Sequence, residues 1–307
     1  MVINMDAVSN ALAAVQSSLP AIKFKTGEPM GNYTSFKIGG PVRAMYFPEN
    51  AAMLTRLTAI LSGCGVNPFV MGNGTNLLAD DRALDMVVVN MTGLNNLERS
   101  GDTELTADSG VLLSRLAVLA YECGLTGLEF AHGIPGTLGG AVSMNAGAYD
   151  ADMAGVIHSS AALAAETGAF AITGAEHGFS YRYSRFSESD EIILSSVIRL
   201  SSGEPESIKA KMDELSARRC ESQPLGLPSA GSTFKRPKEG YTAEIVEQAG
   251  LKGYTVGRAQ VSEKHSGFIV NRGGATFADV MAVIDHVRET VLRQFGVELE
   301  LEVKIIS

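Results

Sequence analysis

Five glycines, Gly133, Gly136, Gly139, Gly140 and Gly147, fall within the stretch FAHGIPGTLGGAVSMNAGAYD (130–150). Each weakens regular structure by roughly 0.5–1 kcal/mol relative to alanine, so such crowding requires a compensating gain. Backbone amides approaching a pyrophosphate supply one, because only glycine leaves no side chain in the way. A merely flexible loop is the alternative. The apolar Ile134, Leu138, Val142 and Met144 argue against it by offering anchors for the segment. Across the chain the 33 glycines in 307 residues exceed the usual share of about 7%.

A second cluster, VMGNGTNLLADD (70–81), sets Gly72 and Gly74 directly behind an apolar run. Chain reversal there would present amides to phosphate oxygens, and a tight turn in a small α/β layer fits the residues as well. The dinucleotide pattern GxGxxG fails, since position 77 is Leu77 and no acidic residue closes a following strand about 20 residues on; this is not a standard Rossmann site. No GxxxxGKS or GxxxxGKT occurs, which disfavours Walker-type phosphoryl transfer.

Around these loops strand and helix patterns alternate. After a short leading surface helix, Arg43 to Phe47 reads as a strand, and Asn50 as the cap of a helix carrying Met53, Leu54, Leu57, Ile60 and Leu61 at helical spacing. PFVMG and MVVVN read as two more strands before a break near Gly93 to Asn96. A second unit runs from a strand around Glu104 to Ala107 through a helix bearing Leu112, Leu113, Leu116 and Leu119. It continues to strands near Val156 to Ala165, Ala169 to Ile172 and Glu191 to Leu200, and SSGEP (201–205) marks its end. A third opens with the charged helix Glu206 to Glu221. Later, Thr276 and Asp279 form a capping-box pattern ahead of a long helix bearing Val280, Ile284, Val287, Val291 and Phe295. The tail alternates Val297, Leu299, Leu301, Val303 and Ile305 with Glu298, Glu300, Glu302 and Lys304, which predicts one half-buried strand. The expected domains are 1–92, 93–203 and 204–307, and a chain of this length suits a cleft between domains.

The net charge of −9 offers no basic face for nucleic acid. Three cysteines, Cys64, Cys123 and Cys220, are odd in number and widely spaced, which disfavours both a disulfide framework and a zinc site and predicts reduced cytoplasmic thiols and no metal. No run approaches the roughly 18–20 apolar residues that span a bilayer, so no membrane insertion is expected.

The segments YTSFKIGGP (33–41), GNGTNLL (72–78), GIPGTLGGAVSMNAGAY (133–149), YRYSRF (181–186), AGSTFKRP (230–237) and LEVKII (301–306), in this order, resemble the UDP-N-acetylenolpyruvoylglucosamine reductases of bacterial peptidoglycan synthesis. The resemblance implies an α+β fold: an FAD-binding domain of the vanillyl-alcohol-oxidase type with two α/β subdomains, then a C-terminal α+β substrate-binding domain. It implies FAD lying between the first two units, NADPH as reductant, a UDP-sugar as substrate, and a monomer or weak oligomer. Flavin contacts carry over onto Thr34, Ser35 and Gly39, onto Gly72, Asn73, Gly74, Thr75, Asn76 and Leu77, and onto Gly133, Gly136, Gly140 and Ala141.

The same likeness places a catalytic trio on Arg182, Ser232 and Glu302. A guanidinium can offer a planar fork to a carboxylate, although residue type alone fits Arg182 equally to a surface arginine. Ser232 follows the small Ala230 and Gly231, and by spacing alone is an ordinary turn serine. Glu302 shares its strand face with Glu298 and Glu300, and periodicity does not separate them. Hydride delivered to the enolpyruvyl methylene would push charge toward the carboxylate, where Arg182 and Glu302 would stabilise it, and Ser232 would protonate the neighbouring carbon. Arg219, Lys264 and His265 are the candidates for the diphosphate and uridine. The short interval between Arg182 and Ser232 resembles the subclass without an inserted tyrosine loop over the substrate. Lys304 stands where many relatives have arginine. Two rival readings are another FAD oxidoreductase acting on a hydroxy acid or sugar, and a nucleotide-binding protein without redox chemistry.

Overall fold

The computed structural model describes residues 6–165, 167–238 and 240–307, so the first five residues of the leading segment lie outside the described residues. The chain forms two compact units from interleaved segments. The first comprises residues up to Thr26, Arg43–Asn73 and Asp85–Ala217; the second comprises Gly27–Val42, Gly74–Leu84 and Arg218–Ser307.

In the first unit, one sheet orders the strands Lys23–Thr26, Val42–Phe47, Leu84–Asn90 and Phe69–Met71. Ala51–Gly63 packs as a helix whose buried Leu54, Leu57 and Leu61 join Tyr46, Val87 and Val89 in one core. Its N-cap is Asn50, whose Oδ1 accepts the Met53 N–H at 2.9 Å, as the sequence predicts. A second, antiparallel sheet orders Gly168–Thr173, Ile157–Ala164, Ile192–Arg199, Glu104–Asp108 and Leu97–Arg99. Against it lie the helices Leu113–Glu122 and Leu138–Ser143, burying Leu116, Ala117, Leu138 and Val142 with Leu105 and Ile198.

The second unit holds the antiparallel strands Ser229–Ser232, Phe268–Asn271, Ala259–Val261 and Thr255–Val256. The helix Phe277–Phe295 packs Val280, Val283, Ile284, Val287 and Val291 into their core, and its capping box between Thr276 and Asp279 is formed as the pattern predicts. A two-stranded parallel ladder joins Leu77–Ala79 to Lys304–Ile306.

The tail differs from expectation. Only Lys304–Ile306 is strand, and 296–303 runs irregularly with one bridge between Phe234 and Leu301. The apolar alternation survives, with Leu299 and Val303 buried. Backbone pairing does not, because it passes from one segment to another: Glu300 O accepts the Lys235 N–H and Glu302 N–H donates to Thr233 O, whereas Lys304 N–H donates to Asn76 O. A period-2 pattern reports which side chains are buried, not which backbone they pair with.

Candidate active site

In the first unit the two glycine loops are stitched together. Asn73 Nδ2 donates to Pro135 O at 2.8 Å. The 133–147 loop is further held by Gly139 N–H on Ser109 O and Leu138 N–H on Val111 O, both 2.8 Å. Glycine is required by packing: a β-carbon at Gly72 would lie 2.0 Å from Thr137 Oγ1, and one at Gly139 would lie 2.7 Å from Ser109 Cβ. Thr137 occupies the N-cap of Leu138–Ser143, yet its hydroxyl makes no capping bond. Thr137 Oγ1 and Ser109 Oγ are both buried without a hydrogen-bond partner among the described residues. Each orphan hydroxyl costs about 1–3 kcal/mol unless something else satisfies it.

Arg182 sits in the two-residue turn between Ser180 and Tyr183, whose backbones bond reciprocally at 3.0 and 3.2 Å. Its φ of 55° is left-handed, a conformation that costs a non-glycine residue on the order of 1–3 kcal/mol. Arg182 Nη2 donates to Gly147 O at 3.0 Å, and its guanidinium lies 5.0 Å from the Tyr181 ring centre. Gly147 opens a hairpin whose central residues Tyr149 and Asp150 have φ of 56° and 62°, the pattern of a type I′ turn. Asn145 ties hairpin to turn through Nδ2, donating to Asp152 Oδ2 and Ser180 O. Just before the turn, His177 is fully buried and stacked on Phe179. Its Nδ1 faces the Gly174 carbonyl at 3.1 Å and so carries the proton. Nε2 therefore accepts from Ser160 at 2.9 Å, and burial pushes the imidazole below its ordinary range.

In the second unit Ser232 ends a strand that bulges. Ser229 pairs with Val270 and Ser232 with Phe268, and Gly231 absorbs the extra residue at φ 76°. His265 lies nearby: a β-carbon at Gly267 would be 3.2 Å from His265 Nδ1 and 3.7 Å from Ser232 Oγ. The buried Thr233 links Ser232 to Glu302, since Thr233 O accepts the Glu302 N–H at 2.9 Å while Thr233 N–H donates to Gly267 O. Glu302 is half-buried where Glu298 and Glu300 are exposed, the distinction that the strand pattern lacked. Asn76 Nδ2 donates to Glu302 O at 2.9 Å. Ser35 Oγ donates to Ser229 O at 2.6 Å, and Thr34 Oγ1 to Ile38 O at 2.9 Å. The remaining residues of the two motifs divide between the units: Gly39, Gly74, Thr75 and Leu77 belong to this one, Gly72 and Asn73 to the first. A β-carbon at Gly39 would come within 2.8 Å of those of Met30 and Ala79, so its glycine serves packing.

Of the residues expected to meet the nucleotide, Lys264 donates through Nζ to Cys220 O at 2.6 Å, at the C-terminal turn of Pro205–Ser222, which also carries the half-buried Arg219. His265 Nδ1 accepts the Gly267 N–H at 3.2 Å, and burial lowers its pKa from the ordinary 6.5.

Residues 42–163 match the FAD binding domain family, and residues 223–306 match the family described as UDP-N-acetylenolpyruvoylglucosamine reductase, C-terminal domain. The UDP-N-acetylenolpyruvoylglucosamine reductase of Caldanaerobacter subterraneus subsp. tengcongensis is 47% identical over 93% of this chain and 94% of its own length. That of Pediococcus pentosaceus is 41% identical over 96% and 98%. The crystal structure of the UDP-N-acetylenolpyruvylglucosamine reductase of Thermus caldophilus superposes with a TM-score of 0.80 at 30% identity, covering 93% of this chain and 99% of that one. The chain belongs to this family of reductases. It is an FAD-dependent oxidoreductase of peptidoglycan precursor synthesis, with an α+β fold of FAD-binding domain followed by the family's C-terminal domain.

The first unit's residues fit the flavin nucleotide. Two buried, unpartnered hydroxyls beside crowded glycine backbone suit the oxygen-rich pyrophosphate, which accepts hydrogen bonds and tolerates no bulk between itself and the amides. Thr137 and Ser109 are functional candidates that the sequence reading misses. A signal existed: a threonine immediately before the helix LGGAVS reads as an N-cap, and in the structure its hydroxyl makes no capping bond. No helix among the described residues is long and apolar enough to cross a membrane.

Proposed function

We propose that this enzyme reduces UDP-N-acetylglucosamine enolpyruvate to UDP-N-acetylmuramate with electrons from NADPH, using Arg182, Ser232 and Glu302. The observation that carries the reading is the join between Ser232 and Glu302: residues seventy positions apart are held on adjacent segments by the Thr233 O to Glu302 N–H bond. FAD, when bound, would supply the two-electron redox chemistry that links NADPH to the enolpyruvyl methylene carbon.

The chain's own residues bind, hold charge and move one proton. Arg182 presents its guanidinium from a strained, doubly anchored turn, so little ordering entropy remains to be lost when it takes the substrate carboxylate. As hydride arrives, charge spreads onto that carboxylate, and a preorganised cation there favours the enolate-like species over the ground state. Ser232 Oγ–H then breaks as the C–H bond forms at the carbon next to the carboxylate. The bulge at Gly231 fixes the direction in which that hydroxyl is presented. Glu302 holds charge and orientation beside it. Thr137, Ser109 and the amides of Gly72, Asn73, Gly133, Gly136, Gly140 and Ala141 would hold the FAD pyrophosphate. Arg219, Lys264 and His265 would serve the UDP moiety, with Lys264 first leaving Cys220 O. We read the domains as 1–92, 93–203 and 204–307, in a cytoplasmic monomer or weak oligomer.

The test is stopped-flow flavin spectroscopy, first with NADPH and then anaerobically with the enolpyruvyl sugar nucleotide. Bleaching of the oxidised flavin band followed by its return is expected. Bleaching without return under substrate would leave a flavin reductase with a different acceptor.

A further inference from the structure

Asn76 stands in the motif GNGTNLL among residues assigned to flavin contact, yet its side chain is engaged elsewhere. The amide nitrogen donates to the main-chain carbonyl of Glu302 at 2.9 Å, and the Asn76 carbonyl accepts the Lys304 N–H at 3.0 Å. The two bonds straddle Val303, one on the Glu302 carbonyl and one on the Lys304 N–H. Beyond them the parallel ladder Leu77–Ala79 to Lys304–Ile306 continues the same pairing. On the other side, Thr233 O accepts the Glu302 N–H. Both backbone polar groups of Glu302 are thus fixed, its N–H by the Ser232 segment and its C=O by Asn76.

The 74–76 segment also reaches the serine. Gly74 O accepts the Ser35 N–H at 3.1 Å, and Ser35 Oγ donates to Ser229 O at 2.6 Å, at the start of the strand that ends in Ser232. The segment therefore bonds both to the acid and, through Ser35, to the strand of the proton donor, all within one compact unit.

We propose that Asn76 is a positioning residue for the reduction of substrate: its side-chain amide sets Glu302 beside Ser232, so that the 74–77 segment registers the acid. The proposal rests on Glu302 acting in the reaction. Alanine at position 76 would preserve the backbone bond to Lys304 and remove the clamp on the Glu302 carbonyl. Aspartate would turn a carboxylate oxygen toward that carbonyl and repel it, until the carboxyl is protonated and donates again.

The experiment compares wild type, Asn76→Ala, Asn76→Asp, Glu302→Gln and the Ala–Gln double variant, all FAD-loaded. Readouts are FAD dissociation by fluorescence, flavin reduction by NADPH, and anaerobic flavin reoxidation by the enolpyruvyl substrate. Loss of one well-placed hydrogen bond predicts reoxidation about tenfold slower in Asn76→Ala, with FAD affinity and flavin reduction changed less than about twofold. On the Glu302→Gln background the alanine substitution should keep its effect only if it acts independently of the acid; we expect that effect to fall away. Asn76→Asp should be slower than Asn76→Ala at neutral pH and gain relative to wild type as the pH falls. Should Asn76→Ala fold poorly, that pH profile carries the same test.

Wild-type reoxidation in Asn76→Ala overturns the proposal. So does an equal loss of FAD affinity and of both half-reactions, which would assign the side chain to the flavin or the fold, and so does an Asn76→Asp profile parallel to wild type. If Glu302→Gln itself reoxidises at the wild-type rate, the proposed role of Glu302 fails, and the inference with it. If Glu302→Gln is slow and Asn76→Ala is not, the inference alone fails.

Discussion

At 133–147 the polypeptide makes its own surface. Glycine backbone lies tight against Thr137 and Ser109, whose buried hydroxyls have no partner among the described residues, and the apolar Leu138 and Val142 anchor the stretch from beneath. Around Ser232 and Glu302 almost nothing local decides the arrangement. There the chain returns from residues 35, 76, 233 and 267 to hold two side chains by hydrogen bonds between distant backbones. The first construction is tolerant of sequence wherever no β-carbon intrudes, and fragile where one does. The second is tolerant of the side chains flanking it and fragile in its few bonds. Substitutions in the two regions should therefore fail differently, the one in cofactor retention and the other in a single half-reaction.

The sharpest contrast comes from Ser232→Ala. A positioned proton donor contributes about 10²- to 10⁴-fold, so reoxidation by the enolpyruvyl substrate should fall by that factor while reduction by NADPH stays within a few-fold of wild type. Stopped-flow traces of both steps check it. Equal slowing of the two would remove the proton-donor role and the contrast between the regions. Gly72→Ala should do the reverse. Its β-carbon would lie 2.0 Å from Thr137 Oγ1, and relieving that overlap should cost about 1–3 kcal/mol of the cradle's integrity. We expect protein purified without its yellow colour, and FAD binding weakened about 10- to 100-fold by fluorescence titration. Colour retained at wild-type stoichiometry would show that the loop can yield.

These differences also explain what was legible in the sequence. The longer helices and most strands of the first unit's two sheets were readable because their signals are local: Asn50 caps its helix, Thr276 and Asp279 close a capping box, and the apolar spacing of 280–291 matches its buried face. The glycine crowding was equally local, and the close packing of Gly72 against Thr137 and of Gly139 against Ser109 gives it a structural reason. The tail misled, since alternation from Val297 to Ile305 describes burial, while the backbone bonds that break the strand at 296–303 belong to Thr233, Lys235 and Asn76, far away in the sequence. Glu302 was inseparable from Glu298 and Glu300 until tertiary structure half-buried it alone. Ser232 and Arg182 depended on resemblance, because a bulge at Gly231 and a left-handed arginine leave no periodic trace. Thr137 drew no notice in the sequence, because only the folded chain leaves the hydroxyl of this N-cap without a bond.

Thr137→Val sharpens the comparison with a milder change. The methyl group replaces the hydroxyl at nearly constant shape, so the loop keeps its form and loses one donor to a charged group. FAD should bind about tenfold more weakly, and the flavin-free protein should melt no lower than wild type, because an unsatisfied buried hydroxyl has been removed. Calorimetry of the flavin-free form and FAD titration separate the two effects. A lower melting temperature would mean that the hydroxyl already has a structural partner.

The smallest effect concerns the two buried histidines, one in each region. Burial lowers the pKa of His177 and of His265, and at His177 the neighbouring Glu176 pulls upward and Arg185 downward by less than burial does. The unfolded chain takes up a proton near the ordinary 6.5, whereas the folded imidazoles do so only at lower pH. Below that value the unfolded state carries more protons, so stability is full above it and falls as the pH drops, by at most about 1.4 kcal/mol per pH unit for each proton. His177 has no exposed surface and its Nε2 must accept from Ser160, whereas His265 is half-buried and lies beside Ser232. Urea unfolding of the holoenzyme between pH about 7 and about 5 should therefore show a positive slope of stability against pH. His177→Gln should flatten that slope more than His265→Gln, while His265→Gln should perturb substrate reoxidation more. Slopes unchanged in both variants would place the acid sensitivity in the carboxylates and detach both histidines from it.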